Sequence, residues 1–296
     1  MSKPTLSRYI DPDVLALVAD RSLEPRDLIV GNLAGAHKSP LSGLAVEFAG
    51  HREYVQGDDP RHIDWRVYFN RDKYFVKQYE LETNLVCHIV LDVSASMRYG
   101  NAAEQKLYYA ARLALTLAFA IVRQHDKVSF TTFDEKVRQH IPPSHSTEQI
   151  LRISEQMDLT TAVEKTSIRV LSELVGRFGR REIVVIISDF FADPAELENV
   201  VQRLRYDKHE VVLFHVLHSD ERNFDFKGEA TFAGLESDES LTARLDDVRL
   251  AYLDAFSRYV SQLEQTADVN RCEYAVSATD VPLAATLTSY LDRRKQ

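Results

Sequence analysis

From residue 85 onward, short apolar runs alternate with longer stretches in which apolar residues recur every three or four positions. The short runs predict strands covered on both faces, since such strands are apolar almost throughout, and the longer stretches predict amphipathic helices. The predicted strands are residues 85–91, 127–133, 136–141, 182–188, 210–217 and 272–276. The predicted helices are residues 102–123, 147–156, 168–178, 194–205, 250–263 and 282–293.

This alternation predicts an α/β fold with a doubly wound, mostly parallel sheet, because helical crossovers join parallel strands and cover both faces. The pair 127–133 and 136–141 is the exception, since only a short turn separates the two runs and a hairpin is expected. The polar stretch 218–245 shows no regular spacing of apolar residues. We expect an irregular segment there, and a second hairpin is the alternative. Before residue 80 the apolar runs are short and interrupted by glycine and proline. We therefore expect an N-terminal segment, residues 1–80, and an α/β domain, residues 81–296.

Net charge, the length of the apolar stretches and the cysteine spacing argue against several classes of protein. The chain has 36 lysines and arginines against 45 aspartates and glutamates, a net charge of −9, which argues against nucleic acid or an anionic membrane as the main partner. The longest apolar stretch, residues 113–122, is about half of the roughly 20 residues that span a bilayer. Cys87 and Cys272 stand far apart, without the spacing of a disulfide scaffold or a zinc knuckle. We expect a cytoplasmic protein without a membrane span.

Polar side chains follow two of the predicted strands. Asp92, Ser94 and Ser96 come directly after residues 85–91, and Asp189 follows residues 182–188. Sites in doubly wound sheets lie outside the carboxyl ends of the strands, so we expect these side chains to meet there. An all-oxygen set of this kind suits Mg²⁺ or Mn²⁺. The alternative for each string alone is helix capping, because serine and aspartate oxygens accept hydrogen bonds from the first free N–H groups of a helix.

The string Asp92-Val93-Ser94-Ala95-Ser96 resembles the first motif of the metal-ion-dependent adhesion site of von Willebrand factor A domains. In that family the aspartate and both serines act together with a threonine and a later aspartate from other loops. Thr166 fits the threonine best, because it leads directly into a predicted helix, and Thr160 and Thr161 are alternatives. The metal ligands that the resemblance implies are Asp92, Ser94, Ser96, Thr166 and Asp189.

The N-terminal third extends the resemblance to a bacterial family, domain of unknown function fifty-eight, in which such a segment leads into a von Willebrand A-like domain. The strings that carry it are SPLSG (39–43), EF (47–48), REY (52–54), GDD (57–59), IDWR (63–66), VK (76–77) and Glu80, followed by DVR (247–249), Tyr252 and residues 279–294. The similarity therefore runs from about residue 35 to the C-terminus.

The resemblance implies a non-enzymatic protein-binding module in which an acidic side chain of the partner completes the shell of a bound Mg²⁺ or Mn²⁺. Members of the family commonly occur with MoxR-type AAA+ ATPases, which implies an adaptor or chaperone-like role beside such an ATPase. One alternative is a Mg²⁺-dependent hydrolase or phosphoryl-transfer enzyme built on the same aspartates. A metal-free scaffold is another. The sequence has no HExxH, GxSxG, P-loop or GxGxxG motif, which favours binding over catalysis.

The N-terminal segment carries a set of charged residues with two interpretations. They form a surface that faces a partner, or an internal ion-pair network with Trp65 as its apolar anchor. The second is favoured, because buried charges require mutual pairing. The residues are Arg52, Asp58, Asp59, Arg61, Asp64, Arg66 and Lys77.

Overall fold

The structure, a computed structural model, describes residues 5–18, 21, 23, 33–38, 47–55, 63–71, 73–80, 82–83, 85–160, 164–226, 229–233 and 240–294. Thr161, Asp58, Asp59 and Arg61 lie outside the described residues. The chain forms two compact units, one made of Met1–Glu24 and Val86–Gln296 and the other of Pro25–Leu85.

Strands and helices are numbered separately in chain order. The strands are β1 (Leu33–Lys38), β2 (Glu47–Glu53), β3 (Phe75–Glu80), β4 (Glu82–Thr83), β5 (Val86–Asp92), β6 (Lys127–Phe133), β7 (Val137–Ser144), β8 (Ile183–Ser188), β9 (Glu210–Leu217), β10 (Glu229–Ala233), β11 (Ser240–Arg244) and β12 (Glu273–Ala278). The helices are α1 (Thr5–Tyr9), α2 (Pro12–Val18), α3 (Trp65–Arg71), α4 (Lys106–Arg123), α5 (Glu148–Leu159), α6 (Leu171–Val175), α7 (Pro194–Tyr206), α8 (Ser219–Asn223), α9 (Leu245–Val269) and α10 (Leu283–Arg294).

The larger unit is built on a six-stranded sheet in the order β12-β9-β8-β5-β6-β7. All neighbouring strands are parallel except β6 and β7, which form the expected antiparallel hairpin. The predicted α/β, mostly parallel sheet is therefore confirmed. The chain leaves β5 for β6 on one side and returns to β8 on the other, so the strand order reverses at β5. Sites in such sheets lie at this reversal, outside the carboxyl ends of the strands.

Helices cover both faces of the sheet. Side chains of α6, α7 and α9 pack with Val90, Val184 and Leu213 in one apolar core. Helix α4 packs against β5, β6, β8 and β9, and α10 packs against α4. Strands β8 and β9 are buried along their whole length, which explains why their sequences are apolar without alternation. Among the described helices, none has the length and apolar character needed to cross a bilayer.

Several elements differ from their predicted bounds, and α9 is the longest of them, since it spans Leu245–Val269 where residues 250–263 were expected. The helix expected from residue 102 begins at Lys106. Residues Ala102–Glu104 form a separate 3₁₀ turn, and Ala102 has a φ of 49° that an α-helix does not accommodate. The helix expected over 168–178 is a 3₁₀ turn, Ile168–Val170, followed by α6. Residues after α6 continue in bonds of the 3₁₀ type, from Arg177 N to Leu174 O at 2.8 Å. The stretch 218–245 contains α8 and the antiparallel hairpin β10–β11.

The first residues of the chain fold with the larger unit, whereas the sequence-based division places residues 1–80 in one segment. Tyr9, Val14 and Val18 are buried, and the Tyr9 hydroxyl donates to Asp158 Oδ1 at 2.9 Å. Helix α1 contacts α5, and α2 contacts α4 and α10. The difference arises because these helices are only five and seven residues long, too short for a periodic pattern to show their buried face.

The smaller unit contains two antiparallel pairs, β1 with β4 and β2 with β3. Near them, Trp65 meets Tyr68 and Tyr74 edge to face, while Tyr68 and Tyr74 stack at 4.7 Å between ring centroids. Trp65 is 53% exposed, so it belongs to a surface aromatic cluster and is not a fully buried anchor. Asp64 Oδ1 accepts a hydrogen bond from Arg66 N at 3.0 Å, at the start of α3.

A buried arginine fastens the last helix to the sheet. Arg294 is 6% exposed and donates to Glu210 Oε2 at 2.5 Å and to Glu273. Glu210 opens β9 and Glu273 opens β12, so one guanidinium ties α10 to two neighbouring strands. Removing one partner of a buried ion pair is costly, because the opposite charge remains buried and unpaired.

We therefore expect Arg294→Leu to lower the free energy of unfolding by about 3–5 kcal/mol, because it leaves two partly buried carboxylates without this guanidinium. Urea unfolding followed by circular dichroism measures this loss. The control is Arg293→Leu, because Arg293 is the exposed neighbour, and its Nε donates to the backbone oxygen of Ser289 within the same helix. A loss of equal size in both variants would contradict the assignment.

Candidate metal centre

Asp92, the last residue of β5, is the centre of a polar cluster at the carboxyl edge of the sheet. It is fully buried, and its Oδ1 accepts from Ser94 N at 2.9 Å. Its Oδ2 accepts from Ser188 Oγ at 2.5 Å and, in a longer contact, from Thr166 Oγ1 at 3.4 Å. The structure thus brings together oxygens from the ends of two strands and from a distant loop.

Backbone hydrogen bonds between loops hold this arrangement. Ala95 N donates to Glu164 O at 2.8 Å, and Ser167 N donates to Asp134 O at 3.1 Å. The Asp134 carboxylate is itself buried and accepts from Arg138 Nε at 2.5 Å. The loop that carries Thr166 is therefore tied both to the loop after β5 and to the β6–β7 hairpin.

The two serines of the motif lie directly after Asp92 in the chain, and their hydroxyls are close together. Ser94 is fully buried and Ser96 is half-buried, with 3.0 Å between their Oγ atoms. Ser94 precedes a 3₁₀ turn, Ala95–Arg98, but its side chain makes no capping hydrogen bond there. Helix α7 is capped by Asp193, whose side chain accepts from Ala195 N, and not by Asp189. Helix capping therefore does not account for these side chains.

The structure separates the candidate threonines. Thr166 is half-buried, and its hydroxyl lies within hydrogen-bond distance of Asp92. Thr160 lies at the end of α5, and its hydroxyl donates to Gln156 O at 2.8 Å. Thr161 lies outside the described residues. Of the two threonines that can be compared, Thr166 is the one beside Asp92.

Asp189, directly after β8, is fully buried and has both carboxylate oxygens engaged. Oδ1 accepts from Phe191 N at 3.3 Å and Oδ2 accepts from Lys106 Nζ at 2.7 Å. The next residue, Phe190, has a φ of 53°, a left-handed conformation that is strained for a bulky side chain. The Tyr259 hydroxyl on α9 donates to Phe190 O, which stabilises this turn.

Lys106 is the counter-ion of Asp189. Its side chain is 1% exposed, and its ammonium also bonds Glu221 Oε1 at 2.7 Å. Burial alone would lower the pKa of Lys106, but the charges of Asp189 and Glu221 outweigh it and raise the pKa above its ordinary value. The other Glu221 oxygen accepts from His218 N at 2.8 Å.

The sequence interpretation did not include Lys106, Ser188 or Glu221 in the site. For Lys106 the sequence does contain a signal. It lies four, seven and eleven positions before Ala110, Leu113 and Leu117, all buried, so it is a charged residue on the apolar face of a helix. Such a residue requires a buried partner of opposite charge, although the sequence does not identify which one.

The cluster holds an excess of negative charge. Asp92, Asp189 and Glu221 face one ammonium, so the net charge is −2 when all four groups are ionised. Burial, followed by the charge of Asp189, raises the pKa of Asp92 from 3.8 to about 7, although hydrogen bonds from Ser188 and Ser94 lower it. A divalent cation would balance this charge. The donor set of carboxylate and hydroxyl oxygens therefore fits Mg²⁺ or Mn²⁺ in both hardness and charge.

Within the described ranges, no group of three or more His, Cys, Asp or Glu side chains is placed to hold a metal ion. The candidate ligands include only two residues of these types, and hydroxyls supply the rest. His215 is fully buried, and burial lowers its pKa to about 4, so it is neutral at physiological pH. His88 lies between Ser129 Oγ at 2.6 Å and Glu182 Oε2 at 2.7 Å, nearer the amino ends of the strands.

The family model described as "DUF58: Protein of unknown function DUF58" matches residues 50–261, more than half of the chain. Similar curated proteins include the uncharacterized protein Rv1480 of Mycobacterium tuberculosis (strain H37Rv) and the uncharacterized protein Mb1516 of Mycobacterium bovis. Each is 25% identical over 265 residues, which cover 88% of this chain and 81% of the relative.

Solved structures with a similar arrangement include BatB from Bacteroides thetaiotaomicron, at 14% identity and a TM-score of 0.49, over 72% of this chain and all of that one. Another is the VWA domain of SpRpn10, at 10% identity and a TM-score of 0.39, over 72% of this chain and 95% of that one. Since these TM-scores lie below 0.5, the fold assignment rests on the strand order and helix placement of this chain.

The raised pKa of Asp92 predicts a pH-dependent stability in the absence of divalent metal. The folded state binds this proton more tightly than the unfolded chain, so the contribution is present below pH 3.8 and is lost as pH rises through about 7. We expect the free energy of unfolding in EDTA to fall between about pH 4 and 7, by at most about 4 kcal/mol in total, and to level off at higher pH. Asp92→Asn should remove this fall, as measured by urea unfolding.

The control is Asp254→Asn, since Asp254 is an exposed residue that pairs with Arg258 on the surface of α9. This variant should keep the wild-type dependence on pH. If Asp92→Asn also keeps it, another group is responsible for the titration.

Proposed function

The chain belongs to the DUF58 family, and we propose that it acts as a non-enzymatic protein-binding module that depends on Mg²⁺ or Mn²⁺. The observation that carries the proposal is the convergence of oxygen donors from separate loops on one buried, negatively charged cluster. The resemblance of residues 92–96 to the metal-ion-dependent adhesion site of von Willebrand A domains supports it. The residues that would hold the ion are Asp92, Ser94, Ser96, Thr166 and Asp189.

The bound ion would supply a Lewis-acidic position that an acidic side chain of a partner can occupy. The residues of this chain would orient that partner. Arg98, two positions after Ser96, and Lys165, directly before Thr166, are both exposed. Exposed positive charge this close along the chain to the candidate ligands would attract an acidic segment and raise its association rate.

The family resemblance also leads us to propose a MoxR-type AAA+ ATPase as the partner, with this chain as its adaptor or chaperone-like component. We further propose a cytoplasmic location. Both cysteines are free thiols, Cys87 buried and Cys272 half-buried, as expected in a reducing compartment.

The preference for binding over catalysis is supported by the state of the nearby acid–base groups. Glu221, the third carboxylate beside the cluster, has one oxygen on Lys106 and the other on His218 N. His215 is neutral and fully buried. Ser129 and His88, which lie within hydrogen-bond distance of each other, are also buried, and the other ring nitrogen of His88 contacts the half-buried Glu182. Glu221 is thus engaged, and His215 and His88 are buried, which favours binding over catalysis at these three groups.

The proposal predicts that Thr166→Ala weakens Mg²⁺ binding at least about tenfold, because one hydroxyl ligand is lost. It also predicts that this variant no longer binds the ATPase in a Mg²⁺-dependent manner. Isothermal titration with MgCl₂ measures the first effect. Surface plasmon resonance against the purified MoxR-type ATPase of the same organism, in Mg²⁺ and in EDTA, measures the second.

Thr160→Ala is the matched control, since it removes the same hydroxyl from a residue that bonds Gln156 O. It should bind Mg²⁺ and the ATPase like the wild type. If Thr166→Ala keeps both activities, Thr166 is not a ligand. ATPase binding of equal strength in Mg²⁺ and EDTA would contradict the metal dependence itself.

A further inference from the structure

The ammonium of Lys106 occupies the position beside Asp189 for which a bound metal ion would compete. Its ammonium lies 2.7 Å from Asp189 Oδ2, 2.7 Å from Glu221 Oε1 and 5.1 Å from the centroid of the Phe191 ring. Its side chain is 1% exposed, so water screens none of these contacts effectively. A fixed positive charge therefore lies against one of the two buried aspartates of the candidate metal centre.

Both oxygens of Asp189 already accept a hydrogen bond. Oδ1 is engaged by Phe191 N and Oδ2 by Lys106. An ion that takes the Oδ2 atom of Asp189 must therefore share it with the ammonium or displace it. Displacement does not leave Lys106 without a counter-ion, because its ammonium still bonds the Glu221 carboxylate. That carboxylate is held in place by the hydrogen bond that it accepts from His218 N.

We propose that Lys106 is a resident counter-cation that competes with the divalent metal ion for Asp189 and thereby limits the metal affinity of the site. Glu221 retains the ammonium when the metal takes Asp189. This inference rests on the proposed metal centre, but it concerns a residue outside the ligand set. Metal binding is then reversible, because either the metal ion or the ammonium of Lys106 balances the charge of Asp189.

Two substitutions that should change the Mg²⁺ affinity in opposite directions test the proposal. Lys106→Gln removes the competing charge and should tighten Mg²⁺ binding at least about tenfold. Glu221→Gln removes a negative charge and the alternative partner of Lys106, so it should weaken Mg²⁺ binding by a similar factor. Isothermal titration of the full chain with MgCl₂ alone measures both affinities. Lys106→Arg keeps the charge and should remain close to the wild type.

Thermal unfolding provides a second readout. In EDTA, Lys106→Gln should unfold at a lower temperature than the wild type, because Asp189 loses its partner. Added Mg²⁺ should then raise its unfolding temperature by more than it raises that of the wild type. Lys127→Gln, at the amino end of β6, is the control and should change neither quantity.

The outcomes separate this inference from the proposed function. If the wild type binds Mg²⁺ and both variants bind it more weakly, Lys106 only positions Asp189, and the competition is overturned. Unchanged affinity in both variants also overturns it, while the metal centre stands. No Mg²⁺ binding by the wild type or by either variant overturns the metal centre itself. If Lys106→Gln does not fold, the double variant Lys106→Gln/Glu221→Gln replaces it. It should bind Mg²⁺ more tightly than Glu221→Gln alone, and equal or weaker binding overturns the competition.

Discussion

The buried charges at the carboxyl edge of the sheet are the constraint on which the rest of the site depends. Asp92 and Asp189 are both fully buried, and the ammonium of Lys106 bonds only the second of them. Burying a carboxylate without a counter-charge is costly, which is the origin of the raised pKa of Asp92. The protein surrounds Asp92 with hydrogen-bond donors, but donors alone do not neutralise it. The divalent cation of the proposed function would balance this charge.

Helix α9 holds in place the two segments that carry Asp189 and Glu221. Tyr259 donates to Phe190 O, beside Asp189, and Tyr252 donates to Glu221 O at 3.0 Å. The two tyrosines are seven residues apart and therefore lie on the same face of the helix. Both carboxylates that bond Lys106 thus belong to segments held by one helix. The strained φ of Phe190 persists because this neighbouring structure holds it in place.

The topology of the sheet places the candidate metal ligands at one edge. The reversal of strand order at β5 leaves a gap at the carboxyl ends of β5 and β8, and the polar residues follow those two strands. The apolar strands beneath provide a rigid base, since β8 is buried along its whole length. The metal-dependent function proposed for this DUF58 protein uses an edge that the topology itself makes available. Arg98 and Lys165, close along the chain to the candidate ligands, are exposed and would attract the acidic partner of that proposed function.

The local sequence determined the six strands of the large sheet, including the two that lead into the aspartates, and the long helices that cover the sheet, because apolar periodicity is a property of neighbouring residues. Helices α1 and α2 are too short to show such a pattern. It also identified Asp92, Ser94, Ser96 and Asp189 as residues of one edge, since parallel strands place their carboxyl ends together. Tertiary structure alone decided which loop reaches Asp92, and therefore that Thr166 rather than Thr160 lies beside it. It also decided the pairing of Lys106 with Asp189 and Glu221. These residues are 83 and 115 positions from Lys106, and contacts over such separations depend on packing that no local pattern encodes.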